Sequence, residues 1–91
     1  MSELDGVWRL ERVGGALPPL HGFVKRIRGD HGKTEFSRLP GIPFEVRGLE
    51  LHYRAPFWLL VDKLEPQDGG YLGRATLRGH EIGQFTMTLV G

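Results

Sequence analysis

Fourteen glycines and six prolines interrupt this chain of 91 residues so often that no stretch is left for a helix of several turns. Proline removes a backbone donor, and glycine gives up the order that a helix interior needs. The segments between them are rich in Val, Ile, Leu, Phe, Tyr and Thr, which suit a pleated, half-buried surface. Eight such segments stand out, at 5–13, 22–28, 33–38, 42–47, 49–54, 58–65, 70–78 and 82–90. The stretch 14–21, GGALPPLH, has room for one helical turn, but its two prolines favour an irregular crossing. The expectation is a single all-β domain over 1–91.

Short connections between consecutive segments favour an up-and-down antiparallel meander, and eight strands are enough to close it into a small barrel. Side-chain alternation constrains the pairing. One face of 70–78 carries Tyr71, Gly73, Ala75 and Leu77, and one face of 82–90 carries Gly83, Phe85, Met87 and Leu89. A one-residue slip would turn every side chain over. A three-residue loop of Gly79, His80 and Glu81 joins these two faces, with Ala75 opposite Phe85 and Gly73 opposite Met87. Farther back, the face of Phe44 and Val46 continues as Leu49, Leu51 and Tyr53 only if the phase breaks near Gly48. A tight hairpin at Arg47–Gly48 or a bulge would break it. Gly29, Asp30 and Gly32 mark a turn within RGDHG.

Charge and composition set aside several functions. Twelve basic and eleven acidic side chains leave a net charge of +1, so nucleic acid is not an expected partner. Lys25, Arg26, Arg28, Lys33 and Arg38 form a locally basic run, read as a solvated strand pair. The RGD tripeptide at Arg28–Asp30 reads as turn chemistry. There is no cysteine, and His21, His31, His52 and His80 lack metal-ligand spacing, so no metal or cofactor is expected. The longest apolar run, APFWLLV at 55–61, is too short for a membrane span, and MSELDG does not read as a signal peptide. A cytoplasmic protein without a membrane partner is expected.

The opening Gly6-Val7-Trp8, followed by a meander with one longer crossing before its second strand, resembles the calycins. That superfamily contains the lipocalins, the fatty-acid-binding proteins and the nitrobindin-like haem proteins. The resemblance implies a ligand-binding barrel whose floor is closed by Trp8. The chain departs from the branches of that superfamily. Its last segment, IGQFTMTLVG, has no basic residue to cross the tryptophan, and it lacks the R-x-Y pair that holds a carboxylate. No inward histidine is evident for haem iron.

Three functions follow as expectations. The first is a non-enzymatic barrel that binds a small hydrophobic ligand among Trp8, Phe36, Phe44, Leu51, Tyr53, Asp62, Tyr71 and Phe85, with 14–21 as its lid. Trp8 and the other large side chains also serve as ordinary core, with Gly73 and Ala75 leaving room for a small pocket. The second is a filled barrel that forms a homodimer. Along 58–65, Trp58, Leu60, Asp62 and Leu64 alternate with Leu59, Val61, Lys63 and Glu65, and Phe57 precedes them in phase with the latter set. Large apolar residues would then face outward whichever set is buried. The third is a small isomerase or lyase with Asp62 as base, since an inward carboxylate in apolar surroundings needs a partner or a task. No catalytic triad is present.

Overall fold

The structure, a computed structural model, describes residues 3–36 and 40–91. The end of the expected 33–38 segment, with Arg38, lies outside the described residues. The described residues are all-β, 67% of them in strands, with no helix among them. Its strands are β1 (Gly6–Gly15), β2 (Phe23–Arg28), β3 (His31–Phe36), β4 (Ile42–Arg47), β5 (Glu50–Tyr53), β6 (Leu60–Gln67), β7 (Gly70–Leu77) and β8 (His80–Leu89). Each pairs antiparallel with the next, and β1 pairs with β8 to close the barrel. Closure removes both open sheet edges.

The meander gives the barrel two unlike ends. The base collects the start of β1 and the β2–β3, β4–β5 and β6–β7 turns. Leu4 is fully buried there, and the Trp8 indole Nε1 donates to its carbonyl at 2.8 Å. The Trp8 ring meets Tyr71 edge-on, with centroids 5.4 Å apart. Asp5 Oδ1 accepts from the Gly29 amide at 2.8 Å, which ties the N-terminal segment across this end. The opposite end, the mouth, collects the β1–β2 crossing and the turns at 54–59 and 78–79.

An eight-stranded barrel is just wide enough to be filled by side chains or to hold one small ligand. Phe44, Leu51, Phe85 and Met87 occupy most of this interior. Outside, ion pairs join neighbouring strands, as in Arg26–Glu35 at 2.6 Å and Arg74–Glu65 at 2.9 Å. Such exposed pairs add at most about 1 kcal/mol each.

Three sequence expectations need correction. β7 and β8 are joined by a two-residue turn, Arg78–Gly79, with φ of 53° and 83°, instead of a three-residue loop. Positive φ at both positions matches the right-handed twist of the flanking strands. A bulge at Ile82 then restores the facing of the two strands. Gly73 lies opposite Phe85, Tyr71 opposite Met87, and Ala75 opposite Gly83. The expected faces meet, but displaced by two residues. Gly73 is needed at its place, because a side chain there would overlap the Phe85 ring. The second correction concerns β4 and β5, whose two-residue turn is Gly48–Leu49, one position beyond the expected hairpin.

The third correction concerns residues 57 and 58. Phe57 N donates to Arg54 O at 2.8 Å and Leu60 N to Phe57 O at 2.9 Å, so 54–60 coils into turns. β6 begins only at Leu60, and its inward residues are Asp62 and Leu64. Phe57 and Trp58, 42% and 64% exposed, stand at the mouth and not on an outer strand face. Outward β6 carries Lys63 and Glu65, so it presents no large apolar face.

Candidate functional site: a polar cluster beneath the mouth

Along β2, Phe23, Lys25 and Ile27 point inward while Val24, Arg26 and Arg28 point outward. Strand alternation therefore carries a lysine into the barrel, where it is only 2% exposed. Its ammonium lies 3.0 Å from Asp62 Oδ2 of β6, a residue 6% exposed. It also donates to Thr34 Oγ1 of β3 and to the Tyr53 hydroxyl of β5, both at 2.6 Å. The Thr34 and Tyr53 hydroxyls are 2.7 Å apart, and Tyr53 donates to Asp62 Oδ2 at 3.1 Å. The rings of Phe44, Tyr53 and Phe85 surround the ammonium, with centroids 5.2, 5.2 and 5.4 Å away. Aromatic faces attract a cation and keep water from it.

The electrostatics favour a charged lysine. Burial alone would pull its pKa down, but the Asp62 carboxylate and the Tyr53 hydroxyl outweigh that and hold it above the ordinary lysine value. Burial pushes the Tyr53 hydroxyl up, with the neighbouring ammonium only partly opposing the rise. Lys25 is accordingly no amine nucleophile at neutral pH, and Tyr53 no phenolate.

The cluster forms the polar wall of a cavity of about 110 Å³, whose apolar wall includes Leu10, Leu17, Leu20, Phe23, Ala75 and Phe85. Leu10, Leu17, Leu20 and Phe23 also line a surface groove of about 1050 Å³. The same four side chains thus lie between the two. Leu17 and Leu20 belong to the crossing, which lies against the cavity. Arg12 holds that crossing down, with Nε donating to Leu17 O at 2.8 Å and Nη2 to Gly15 O at 2.5 Å. Ala16 N donates to Ile82 O at 2.6 Å. Leu17 reaches the barrel wall over Gly83, where any side chain would collide with its Cγ.

Of the residues singled out from sequence, Tyr53, Asp62 and Phe85 come together around the cavity. Phe44 lies behind Tyr53, edge-on at 5.5 Å. Trp8, Leu51 and Tyr71 are buried but do not line the cavity. Phe36 stacks on Phe23 at 4.7 Å and stands at the rim, 39% exposed. Sequence reasoning missed Lys25 and Thr34, counting Lys25 among the solvated cations. The apolar Phe23 and Ile27, two positions to either side of Lys25, were the signal that it faces inward.

Fold and site together define a closed eight-stranded barrel with a small, partly polar cavity beside a cross-mouth segment. No protein-family model matches the chain, and no curated protein or solved structure matches it either.

Proposed function

We propose that this barrel binds a small molecule, without chemistry, in the cavity beneath the 16–22 crossing. The observation that carries this reading is a cavity of about 110 Å³ with a leucine and phenylalanine wall on one side and a fixed polar cluster on the other. Binding pockets combine apolar walls with a few placed polar groups in this way, although most are larger. Burial of the ligand's apolar part supplies affinity at roughly 25 cal/mol per Å² before association costs. The Gly6–Trp8 resemblance to the calycins points the same way. The engagement of Asp62 with Lys25 and Tyr53 speaks for recognition over proton abstraction. Native mass spectrometry on protein purified without denaturant tests the reading. The expected result is a non-covalent excess mass that disappears on denaturation or when Ala75→Leu fills the cavity. Retention of that mass by a folded Ala75→Leu variant would count against this site.

A second reading, self-association at the mouth, rests on the exposure of Phe57, Trp58 and Leu77. Apolar side chains grouped at one end of a domain mark contact surfaces. The double substitution Phe57→Ser/Trp58→Ser should then give a folded monomer from a dimeric wild type in sedimentation. A monomeric wild type would dismiss this reading.

A further inference from the structure

The donors of the polar cluster are turned toward one another. Lys25 brings three, and the Thr34 and Tyr53 hydroxyls bring one each. The cluster also contains five polar contacts. The ammonium meets Thr34 and Tyr53 at 2.6 Å and Asp62 Oδ2 at 3.0 Å. Thr34 meets Tyr53 at 2.7 Å, and Tyr53 meets Asp62 Oδ2 at 3.1 Å. Four of these contacts are hydrogen bonds and the fifth is an ion pair, and the rings of Phe44, Tyr53 and Phe85 stand around the ammonium, so the cluster's donors are engaged chiefly with one another.

Acceptor capacity does remain. Asp62 uses Oδ2 for both of its contacts, which leaves Oδ1 outside the network. Among the described residues, no fully buried side-chain oxygen or nitrogen lacks a partner. The free carboxylate oxygen therefore keeps an accessible face, on a residue that lines the cavity. The charges of Lys25 and Asp62 cancel, so the cluster offers an anion no net attraction, and the free carboxylate oxygen repels it.

We propose that the cavity selects a short-chain hydrogen-bond donor, neutral or cationic, such as an alcohol, primary amide or amine, and rejects the carboxylate built on the same carbon skeleton. The proposal rests on the cavity being a binding site. Its size fixes the length of the guest. At about 30 Å³ of liquid volume per water, a cavity of about 110 Å³ has room for some four waters' worth, or a chain of about four carbons.

The test is an NMR titration of the full chain at neutral pH with 1-butanol, n-butylamine and butyrate, following Leu17, Leu20 and Phe85. The alcohol and the amine should bind at least about ten-fold more tightly than butyrate. Butyrate binding as tightly as 1-butanol would overturn the selectivity while leaving the binding site intact. Shifts from none of the three would defeat the binding site, and the selectivity with it. Asp62→Asn removes the counter-charge and introduces an amide donor, so butyrate should overtake 1-butanol. An unchanged order in that variant, once folded, would also overturn the proposal. Should Asp62→Asn not fold, the wild-type series decides alone. Lys25→Met supplies the opposite shift, toward n-butylamine over 1-butanol, and no such shift in the folded variant would likewise count against the proposal.

Discussion

A lysine ammonium buried in a barrel needs acceptors and a counter-charge close by. Lys25 has hydrogen-bond acceptors in Thr34 and Tyr53 and a counter-charge in Asp62, which arrive from three other strands. Removing one charge from such a pair leaves the other buried and uncompensated, at a cost of about 3–5 kcal/mol. Lys25→Met and Asp62→Asn should each lower stability by about that amount in urea denaturation. The double variant Lys25→Met/Asp62→Leu should lose less than the two single losses combined, because an apolar pair leaves no stranded charge. Additive losses would show that the two groups do not depend on each other. The alkaline limb gives a second prediction. Lys25 and Tyr53 both titrate higher in the folded chain than in the unfolded one. Stability from each is thus fully present below the unfolded value and lost as pH rises through the folded one. The urea midpoint should hold from neutral pH to about pH 10 and fall above it, less steeply in Tyr53→Phe. Asp62 was legible in the sequence only under one of two facings of its segment, as a carboxylate that would need a partner if inward. Its partner was not, because Lys25 sits among cations close in sequence, and only the three-dimensional closure of β2 against β6-bearing walls gathers the four polar residues.

At the scale of elements, the crossing and the β7–β8 hairpin do different work. The crossing is fastened by two guanidinium hydrogen bonds from Arg12 and one backbone bond to β8. Exposed hydrogen bonds of this kind are worth about 0.5–1.5 kcal/mol each. Arg12→Ala should accordingly speed amide exchange at Ala16 and Phe23 while the urea midpoint moves little. Unchanged exchange there would show that Arg12 is no latch. In the hairpin, Gly73 accommodates Phe85, and Gly73→Ala should cost about 1–3 kcal/mol through overpacking. Strand number and order could be read from alternation and glycine spacing, but the inward faces of β2 and β6 were left unsettled. The hairpin register could not be read either, because a two-residue turn with a bulge and a three-residue loop bring the same faces together. Trp58 was misplaced for a related reason: period-two alternation runs unbroken from 58 to 65, while the chain coils through 54–60 before β6 begins.

For the whole molecule, the proposed binding function sets the two ends apart, with stability at the base and recognition at the mouth. The base is sealed by Leu4, Trp8 and Tyr71, away from the cavity. Trp8→Ala should cost about 3–5 kcal/mol of folding stability and leave affinity for a guest at the mouth unaltered in the molecules that remain folded. The mouth holds the cavity, its cover and the exposed Phe36, Phe57 and Trp58. Methyl- and aromatic-resolved NMR of the wild type and of Ala75→Leu, each titrated with 1-butanol, tests this division most directly. Saturable shifts at Leu10, Leu17, Leu20 and Phe85, absent from Leu64 and Met87 and abolished by Ala75→Leu, are the predicted result. Shifts centred on the base, or equal shifts in the filled variant, would contradict it.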